Sequence, residues 1–496
     1  MKRLAKALLF VALLVLSLAT IQQALLVGPF SSDERVGRDN HASFRDQEPN
    51  TLDVVYVGAS NVYSFWQAPL AWDRYGLASH SYSNWSMPPA SIRYVIQECR
   101  KTQPNALYVV NINNFRDEDS STLKHCHWTT DDMPLSMSKI ELVQALCEQN
   151  GYDFDEAVEL LFPLIGFHST WSDLQSEDFA PQYADVGGAA TNANHFVSRD
   201  ATSNFSTYAQ MKANLDEYGP FDKDDFKSAS IIDLISYCKA EDVSILFVLQ
   251  PQAITDAEEL YHMELLCDII EKEGMDMIDL SDPATMNLYP SADYWNPRHT
   301  NAHGSIKYTD YLANYIMQHY TIDDRRGDEL YAGFDVVSER YKDFLMAHTI
   351  RDFEFDLPEV LPDWRVGDLK ATNMHVCVSL TWTPLEGADE YIVYRQRVEK
   401  IGTPSDVDDL KDYAWKRIAI VGGDSSSYID NELVENVPII SLGNTQSTDT
   451  EDDVESVEYD YTVIPVVHGE SGDVYGAYYT QRAAIDMLEC KTEQDA

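Results

Sequence analysis

A short apolar run that ends in a Gly-Ala-Ser turn constrains this chain more than any other stretch. Residues Asp53 to Val57 are mostly apolar, which is typical of a strand buried on both faces of a parallel sheet. Gly58 and Ala59 then turn the chain and bring Ser60 to the carboxyl end of the strand, where open α/β sheets bind ligands. A helix starting near Asn61 would direct the serine hydroxyl into a cleft. The residues alone also fit a turn that only happens to contain a small polar side chain.

A second polar stretch, late in the chain, favours the chemical interpretation. Residues 295–304 read WNPRHTNAHG and precede a helical pattern, so His299 stands just before a helix. An imidazole on a neighbouring loop can take a proton from a serine hydroxyl, and such pairs are recognised by roles and geometry rather than by spacing. Ser60 and His299 are therefore the candidate nucleophile and general base.

Four stretches in this order resemble the SGNH/GDSL hydrolase superfamily, and most closely its membrane-anchored, DltD-like branch. They are GASN at 58–61, FPLIGFHSTWSDL at 162–174, ILFVLQP at 245–251 and NPRHTNAHG at 296–304. The resemblance covers roughly residues 50–320. It implies a doubly wound, flavodoxin-like three-layer α/β fold that acts on ester bonds without a cofactor or a metal.

The resemblance also assigns roles to individual residues. Ser60 corresponds to the family's nucleophile and His299 to its base, but the aspartate that usually stands three residues before the histidine is Asn296 here. An asparagine can orient an imidazole, yet it cannot stabilise the imidazolium by charge. Three alternatives follow: Asp293 replaces the missing aspartate, Ser60 and His299 work as a dyad, or activity is weak or lost.

The oxyanion donors implied by the family are the Ser60 backbone N–H and two further groups. Asn84 stands at the family's second motif, where a glycine is usual, and Asn113 or Asn114 ends a third apolar strand. A side-chain amide there can donate to an oxyanion. Asparagines at strand ends are equally common as plain turn residues.

The N-terminus carries the clearest targeting signal. Lys2, Arg3 and Lys6 precede an apolar run that reaches Val27, about 21 residues and long enough to span a bilayer. The basic flank keeps the N-terminus cytoplasmic, so the rest of the chain lies outside. An uncleaved signal anchor over residues 1–28 is favoured over a cleaved signal peptide, and residues 29–50 are polar enough for a linker.

The α/β domain is expected over residues 51–322, with an insertion at 118–227 that covers or shapes the cleft. His168 and Trp171 in this insertion either line a substrate pocket or form a packed pair. The predicted strands are Val54 to Val57, Ala106 to Asn111, Ile245 to Leu249 and Met275 to Leu280, and the predicted insertion helices are Ser138 to Gln149 and Asp155 to Leu161. Strands that alternate with helices indicate a parallel, doubly wound sheet.

A helical linker at 323–361 leads to an all-β region at 362–488. Its strands alternate polar and apolar residues with a period of two. The region resembles a fibronectin type III sandwich, with Trp382 as the core tryptophan and Tyr461 at the late tyrosine position. We expect a spacer or binding module without chemistry of its own.

Metal chemistry is not expected. The seven cysteines are scattered and form no C-x-x-C pair, although an exported chain can hold one or two disulfides. His125, Cys126 and His127 would point to alternate faces of a strand, and three consecutive side chains rarely share one ion. His303 has no partner ligand at a recognisable spacing, and solvent exposure is expected for it.

Charge excludes one class of partner. The chain has 36 basic and 82 acidic residues, a formal net charge of −46, which repels nucleic acid and does not suit anionic polymers. The acidity itself indicates solubility or a cation-rich setting rather than a dedicated cation site.

The expected function is that of an extracytoplasmic, membrane-anchored serine esterase or O-acyltransferase. The resemblance implies a cell-envelope glycan or polymer as substrate and an integral-membrane O-acyltransferase as partner. The main alternative is a catalytically inactive SGNH-like binding or scaffold protein. A β-sandwich adhesin with an α/β spacer is weaker, because it leaves the serine turn unexplained.

Overall fold

The structure is a computed structural model that describes most of the chain between residues 41 and 486. The described residues are 41, 43–117, 122–166, 211–215, 229–252, 257–286, 288, 293–296, 298–348, 360–361, 364–374, 377–397, 416–431, 433, 456–469, 472–476 and 481–486, with 6, 9, 10, 13, 14 and 17 near the N-terminus. His168, Trp171 and most of the apolar N-terminal run lie outside this set. Among the helices described, none has the length and apolar character required to cross a bilayer.

Five parallel strands form the central sheet, in the order β2-β1-β3-β4-β5. They are β1 (Val54–Gly58), β2 (Ser79–Ser83), β3 (Leu107–Asn111), β4 (Ile245–Leu249) and β5 (Met277–Asp279). This order is that of a flavodoxin-like, doubly wound sheet. The predicted parallel α/β class is confirmed, and the predicted strand ends differ from those observed by at most two residues.

Strand β2 was not predicted, because its sequence SHSYS shows no apolar pattern. All five of its residues are nevertheless buried. The segment before β1 covers one face of the strand: the His41 ring stacks on Tyr82 with centroids 4.1 Å apart, and the Ser43 hydroxyl lies 2.8 Å from His80 Nε2. On the other face, Trp66 Nε1 donates a 3.3 Å hydrogen bond to Ser79 Oγ. Burial of this edge strand therefore depends on distant residues rather than on its own composition.

Helices cover both faces of the sheet. Alternate residues of β1 point to opposite sides, so Val55 and Val57 enter one core and Val54 and Tyr56 the other. The helices on the first face are α3 (Ile92–Cys99), α8 (Ala229–Ala240) and α9 (Ala257–Lys272); on the second face they are α1 (Ser60–Phe65), α2 (Ala68–Tyr75) and α10 (Ala302–His319). Short 3-10 helices occur at Pro89–Ser91, Ile112–Asp117, Pro283–Met286 and Glu329–Tyr331.

The described part of the insertion is helical and has its own small core. Its helices are α4 (Leu123–Thr130), α5 (Met137–Asn150), α6 (Phe154–Leu161) and α7 (Pro163–Gly166). Cys126, Leu142, Leu146 and Leu160 are fully buried together. The strand assumed for His125 to His127 was wrong, since these residues form part of α4.

The C-terminal region is all-β after helix α11 (Ala332–His348), as the alternation predicted. One sheet has the order β13-β10-β9, and a second has β12-β11-β14-β15-β8, with β16 also pairing β14. The strands are β8 (Val360–Leu361), β9 (Gly367–Asn373), β10 (Val378–Thr383), β11 (Glu390–Arg397), β12 (Lys416–Gly422), β13 (Ser427–Asp430), β14 (Ser456–Gly469), β15 (Gly472–Gly476) and β16 (Gln481–Asp486). Trp382, Tyr391 and Tyr461 lie in the core of this region.

The six cysteines that the structure describes are all free thiols. Four of them (Cys99, Cys126, Cys238 and Cys267) are buried, and burial raises the pKa of each thiol. Reactivity depends on the thiolate, so these side chains serve as small apolar core residues.

Gly304, in the first turn of α10, allows a close approach that alanine would prevent. A Cβ at residue 304 would lie 2.2 Å from the Asp293 carbonyl oxygen and 2.8 Å from Thr300 Cγ2. Overpacking of this kind typically costs about 1–3 kcal/mol. We expect Gly304→Ala to lower Tm by about 2–4 °C per kcal/mol lost, measured by thermal unfolding of the full chain.

Gly333→Ala is the matched control, because it also lies in the first turn of a helix. Apart from its chain neighbours and its own helix backbone, no atom of the described residues stands within 4 Å of the added Cβ. Its Tm should stay level or rise. Equal Tm values for the two variants would contradict the close packing of the segment that holds His299.

Candidate active site

Ser60 lies at the carboxyl edge of the sheet, at the point where the strand order reverses. It begins α1 directly after β1, whose neighbours β2 and β3 continue to opposite sides. Ligands of doubly wound sheets bind at such switch points. Gly58 is required just before the turn, since a Cβ there would lie 2.6 Å from Val62 Cγ2.

His299 reaches this edge from a short hairpin of β6 (Tyr294–Asn296) and β7 (His299–Thr300). The hairpin is fixed to α1, because Thr300 Oγ1 donates a 2.8 Å hydrogen bond to the Ser64 carbonyl. Ser60 Oγ then lies 2.8 Å from His299 Nε2. Residues 239 positions apart in the chain are thus in direct hydrogen-bond contact.

Asn296 fixes the tautomer of that imidazole. Its Oδ1 accepts hydrogen bonds from the backbone N–H groups of Arg298 at 2.9 Å and of His299 at 3.0 Å. The amide oxygen, and not the NH2 group, therefore faces these residues. The same oxygen lies 2.9 Å from His299 Nδ1. Nδ1 therefore carries the proton, and Nε2 is left to accept one from Ser60.

Asp293 does not take the missing aspartate's contact. Its carboxylate is almost fully buried and accepts a 2.8 Å ion-paired hydrogen bond from Lys307 Nζ. Of Asp293 and Asn296, it is Asn296 that contacts His299 Nδ1. The residue on Nδ1 is therefore an amide, which orients the ring. In the family that the sequence resembles, a carboxylate is usual here and would also stabilise the imidazolium by charge.

The imidazole is neutral over a wide pH range. Burial of His299, reinforced by the positive charge of Arg298, lowers its pKa to about 4. Asn296 supplies no opposing charge that would raise it. At neutral pH the ring can accept a proton, although a base with so low a pKa accepts it less readily than an ordinary histidine.

Two of the three asparagines considered as oxyanion donors are engaged elsewhere. The Asn84 amide donates to the Trp128 carbonyl and to Thr129 Oγ1, both at 3.0 Å. The Asn113 amide pairs reciprocally with the backbone of Gln250, donating to its carbonyl at 3.0 Å and accepting its N–H at 2.8 Å. Asn113 thereby joins the ends of β3 and β4.

Asn114 differs from both. Its Nδ2 is buried and has no hydrogen-bond partner within the described part of the chain. This atom lies 3.7 Å from the position that a Cβ on Gly58 would occupy, two residues before Ser60. An unmet buried donor costs about 1–3 kcal/mol, and such groups in native proteins call for an explanation.

A buried polar network that sequence reasoning missed supports these loops from below. The Tyr56 and Tyr308 hydroxyls lie 2.7 Å apart, and Gln250 Nε2 donates to Tyr56 at 2.9 Å. The Asn111 amide completes the network by donating to Gln250 Oε1. Only its position in the sequence could have identified Gln250, because it directly follows β4 at the sheet edge that carries Ser60.

Of two other expectations, the structure tests only the exposure of His303. His303 is buried, with 1% of its surface exposed, so the expected solvent exposure was wrong. It belongs to the inward side of α10, which packs on the sheet. His168 and Trp171 lie outside the described residues, and their proposed pocket role stays a prediction.

Restoring the carboxylate should raise the His299 pKa. In Asn296→Asp, a negative charge beside Nδ1 would stabilise the imidazolium, so the titration midpoint should move upward from about 4 toward or above 6.5. NMR titration of the His299 ring measures this directly. Asn84→Asp is the control, because Asn84 does not contact the imidazole; equal shifts in the two variants would refute the assigned contact.

No family model matches this chain, and no curated protein matches it. Among solved structures, it is similar to the FN3 domain of human collagen XX, with 16% identity over 25% of this chain and 98% of that chain and a TM-score of 0.15. A Fn3-like protein from Clostridium thermocellum matches with 20% identity over 24% of this chain and 88% of that chain, at a TM-score of 0.13. Pectate lyase Pel3 from Pectobacterium carotovorum matches with 15% identity and a TM-score of 0.14, over 24% of this chain and 26% of that protein's length. Two of these three structures are fibronectin type III-like, and each covers about a quarter of this chain.

Proposed function

We propose that the protein is an SGNH-type serine esterase or O-acyltransferase, held at the outer side of a membrane by its N-terminal segment. The observation that carries the proposal is the 2.8 Å contact between Ser60 Oγ and His299 Nε2 at the switch point of a parallel sheet. A serine hydroxyl is a weak nucleophile until a neighbouring base removes its proton. The neutral, Nδ1-protonated imidazole has a lone pair directed at that hydroxyl.

The reaction proceeds in two acyl-transfer steps. His299 Nε2 takes the Ser60 proton while Oγ attacks the ester carbonyl, and the resulting imidazolium returns the proton to the departing alcohol. Water or a sugar hydroxyl then attacks the acyl-enzyme, again losing its proton to His299. Hydrolysis and transfer differ only in this second nucleophile.

Asn114 supplies the best-supported oxyanion donor besides the backbone. The Ser60 N–H lies in the first turn of α1, where backbone N–H groups have no partner within the helix. The orphaned Asn114 Nδ2 is close by, beside Gly58. Donors arranged in advance around the developing negative charge are usually the largest contribution to catalysis.

Asn296 sets a limit on the rate. It holds the imidazole in the productive tautomer, but it offers no charge to the imidazolium that forms in each step. Because the His299 pKa is about 4, proton transfer from serine is uphill near neutral pH. We therefore propose an activated or tightly bound acyl donor as the substrate.

The resemblance to the DltD-like branch supplies the setting of the proposal. It implies a cell-envelope glycan or polymer as donor or acceptor and a membrane O-acyltransferase as the protein partner. The apolar run that ends at Val27 would anchor the chain, with the fibronectin type III-like region acting as a spacer or binding module.

The second candidate is a catalytically inactive binding or scaffold protein on the same fold. Asn296 favours it, since an active site under selection for rapid turnover would gain from a carboxylate at this position. The two candidates differ in whether Ser60 reacts.

A fluorophosphonate probe should label Ser60 of the full chain. Labelling should be absent in Ser60→Ala and fall at least about 10²-fold in rate in His299→Ala and Asn114→Ala, because each removes proton transfer or oxyanion stabilisation. Mass spectrometry of the labelled peptide identifies the site. Chromogenic acetyl-ester hydrolysis, compared between the parent and Ser60→Ala, gives a second readout.

Ser64→Ala is the matched control, since its hydroxyl lies on the same helix and bonds the Asn61 carbonyl. It should react like the parent. An unlabelled Ser60, or a rate that is equal in parent and His299→Ala, would favour the inactive scaffold.

A further inference from the structure

Two half-buried tryptophans form a corner that the proposed chemistry does not use. The Trp85 and Trp128 rings lie with centroids 5.7 Å apart and planes at 86°. Both side chains keep part of their surface exposed. The His125 ring lies 5.2 Å from Trp128, and the Lys124 ammonium lies 5.1 Å from the same ring centroid.

The sheet register places this corner on the same rim as Ser60. Ser83, the last residue of β2, pairs with Gly58 of β1. Trp85 follows Ser83 by two residues, just as Ser60 follows Gly58. The two chain segments therefore leave neighbouring strands at the same edge, and strands in a sheet are about 4.8 Å apart.

The corner is held in place by a buried side chain. The Asn84 amide bonds to the Trp128 carbonyl and to Thr129 Oγ1, so it fastens helix α4 to the end of β2. Asn84 is fully buried. The relative position of the two indoles is thus set by the fold rather than by their own contact alone.

Indole faces at right angles, with donors beside them, suit a pyranose ring. The C–H face of a sugar is apolar and packs on an aromatic face, while its hydroxyls need hydrogen-bond partners around the rim. The Lys124 ammonium lies over Trp128, and His125, whose Nδ1 accepts the Thr122 N–H, carries its proton on Nε2. Nucleic acid bases would also stack there, but a chain with a net charge of −46 repels a polyanion.

We propose that Trp85 and Trp128 form a subsite for a pyranose ring of an uncharged glycan. This assignment rests on the proposed function. The ring belongs to the acceptor, whose hydroxyl attacks the acyl-Ser60 intermediate. The charge of the chain selects a neutral sugar over a polyphosphate or a uronic acid polymer. The substrate class is thereby narrowed from an envelope polymer to a neutral, pyranose-containing one.

Calorimetric titration of the full chain in detergent, in a Ser60→Ala background that prevents turnover, tests the subsite. The probe is chitotetraose, whose β-linked rings are uncharged and expose C–H faces on both sides. Tetramannuronate is the charged comparator. We expect chitotetraose to bind more tightly than tetramannuronate, and Trp85→Leu or Trp128→Leu to weaken it about tenfold or more.

Trp85→Phe, which keeps an aromatic face, should retain part of the affinity, and it keeps the test open should a leucine variant fail to fold. Tyr311→Leu, an exposed aromatic residue on α10, should bind like the parent. Unchanged affinity in both leucine variants, equal losses in Tyr311→Leu, preference for tetramannuronate, or no binding by the parent would each overturn the proposal.

The result is separable from the outcome at Ser60. Binding that depends on the two tryptophans, together with an unreactive Ser60, would support the subsite on a catalytically inactive scaffold protein. A reactive Ser60, together with binding that does not depend on the two tryptophans, would support the proposed enzyme and refute the subsite.

Discussion

The contact between the Ser60 hydroxyl and the His299 imidazole depends on how one small hairpin is seated. The hairpin is tied to α1 through Thr300 and Ser64, and its backbone is closed by the Asn301 N–H, which donates to the Asp293 carbonyl at 3.0 Å. Gly304 lets α10 approach this carbonyl. Below it, the Phe65 ring packs edge-on against Tyr308, with centroids 5.0 Å apart. Packing of the second face of the sheet therefore supplies the geometry on which the chemistry depends.

The electrostatics around this contact differ from those of a serine–histidine–carboxylate triad. The buried carboxylate nearest in sequence, Asp293, is neutralised by Lys307, and the residue on Nδ1 is an uncharged amide. The imidazole is therefore held by hydrogen bonds and desolvated, and its Nδ1 partner, Asn296, carries no charge. Burial and the positive charge of Arg298 make the ring a weak base, and Asn296 fixes its tautomer.

The elements that sequence predicts well are those whose burial is local. Strands β1, β3 and β4 are continuous apolar runs, and their type follows from composition alone. Strand β2 could not be found this way, because its side chains are buried by residues elsewhere in the chain, with His41 and Ser43 on one face and Trp66 on the other. The buried position of His303 has a similar origin, since it depends on which side of α10 faces the sheet.

The candidate site likewise has features that the sequence predicts and features that it does not. Order along the chain was enough to pair Ser60 with His299 as candidates, because both follow features that end at one sheet edge. Order could not separate Asn113 from Asn114, which leave the same strand one residue apart; only the reciprocal bonds to Gln250 show that Asn113 is occupied. The two tryptophans lie far apart in the chain, and no periodicity brings them together. Such distinctions depend on hydrogen-bond partners, which a single sequence does not display.

Burial of the imidazole connects the chemistry to folding. The His299 pKa is near 4 in the folded chain and about 6.5 when the chain is unfolded, so between these values the unfolded state binds the extra proton. This ring therefore opposes folding increasingly as pH falls from 6.5 toward 4, and it has no such effect above 6.5. In the folded chain the ring becomes protonated only near pH 4, so the loss of stability above that pH comes from protonation of the unfolded state. The ring therefore remains able to accept a proton over the pH range in which it progressively destabilises the fold, because desolvation keeps it neutral there.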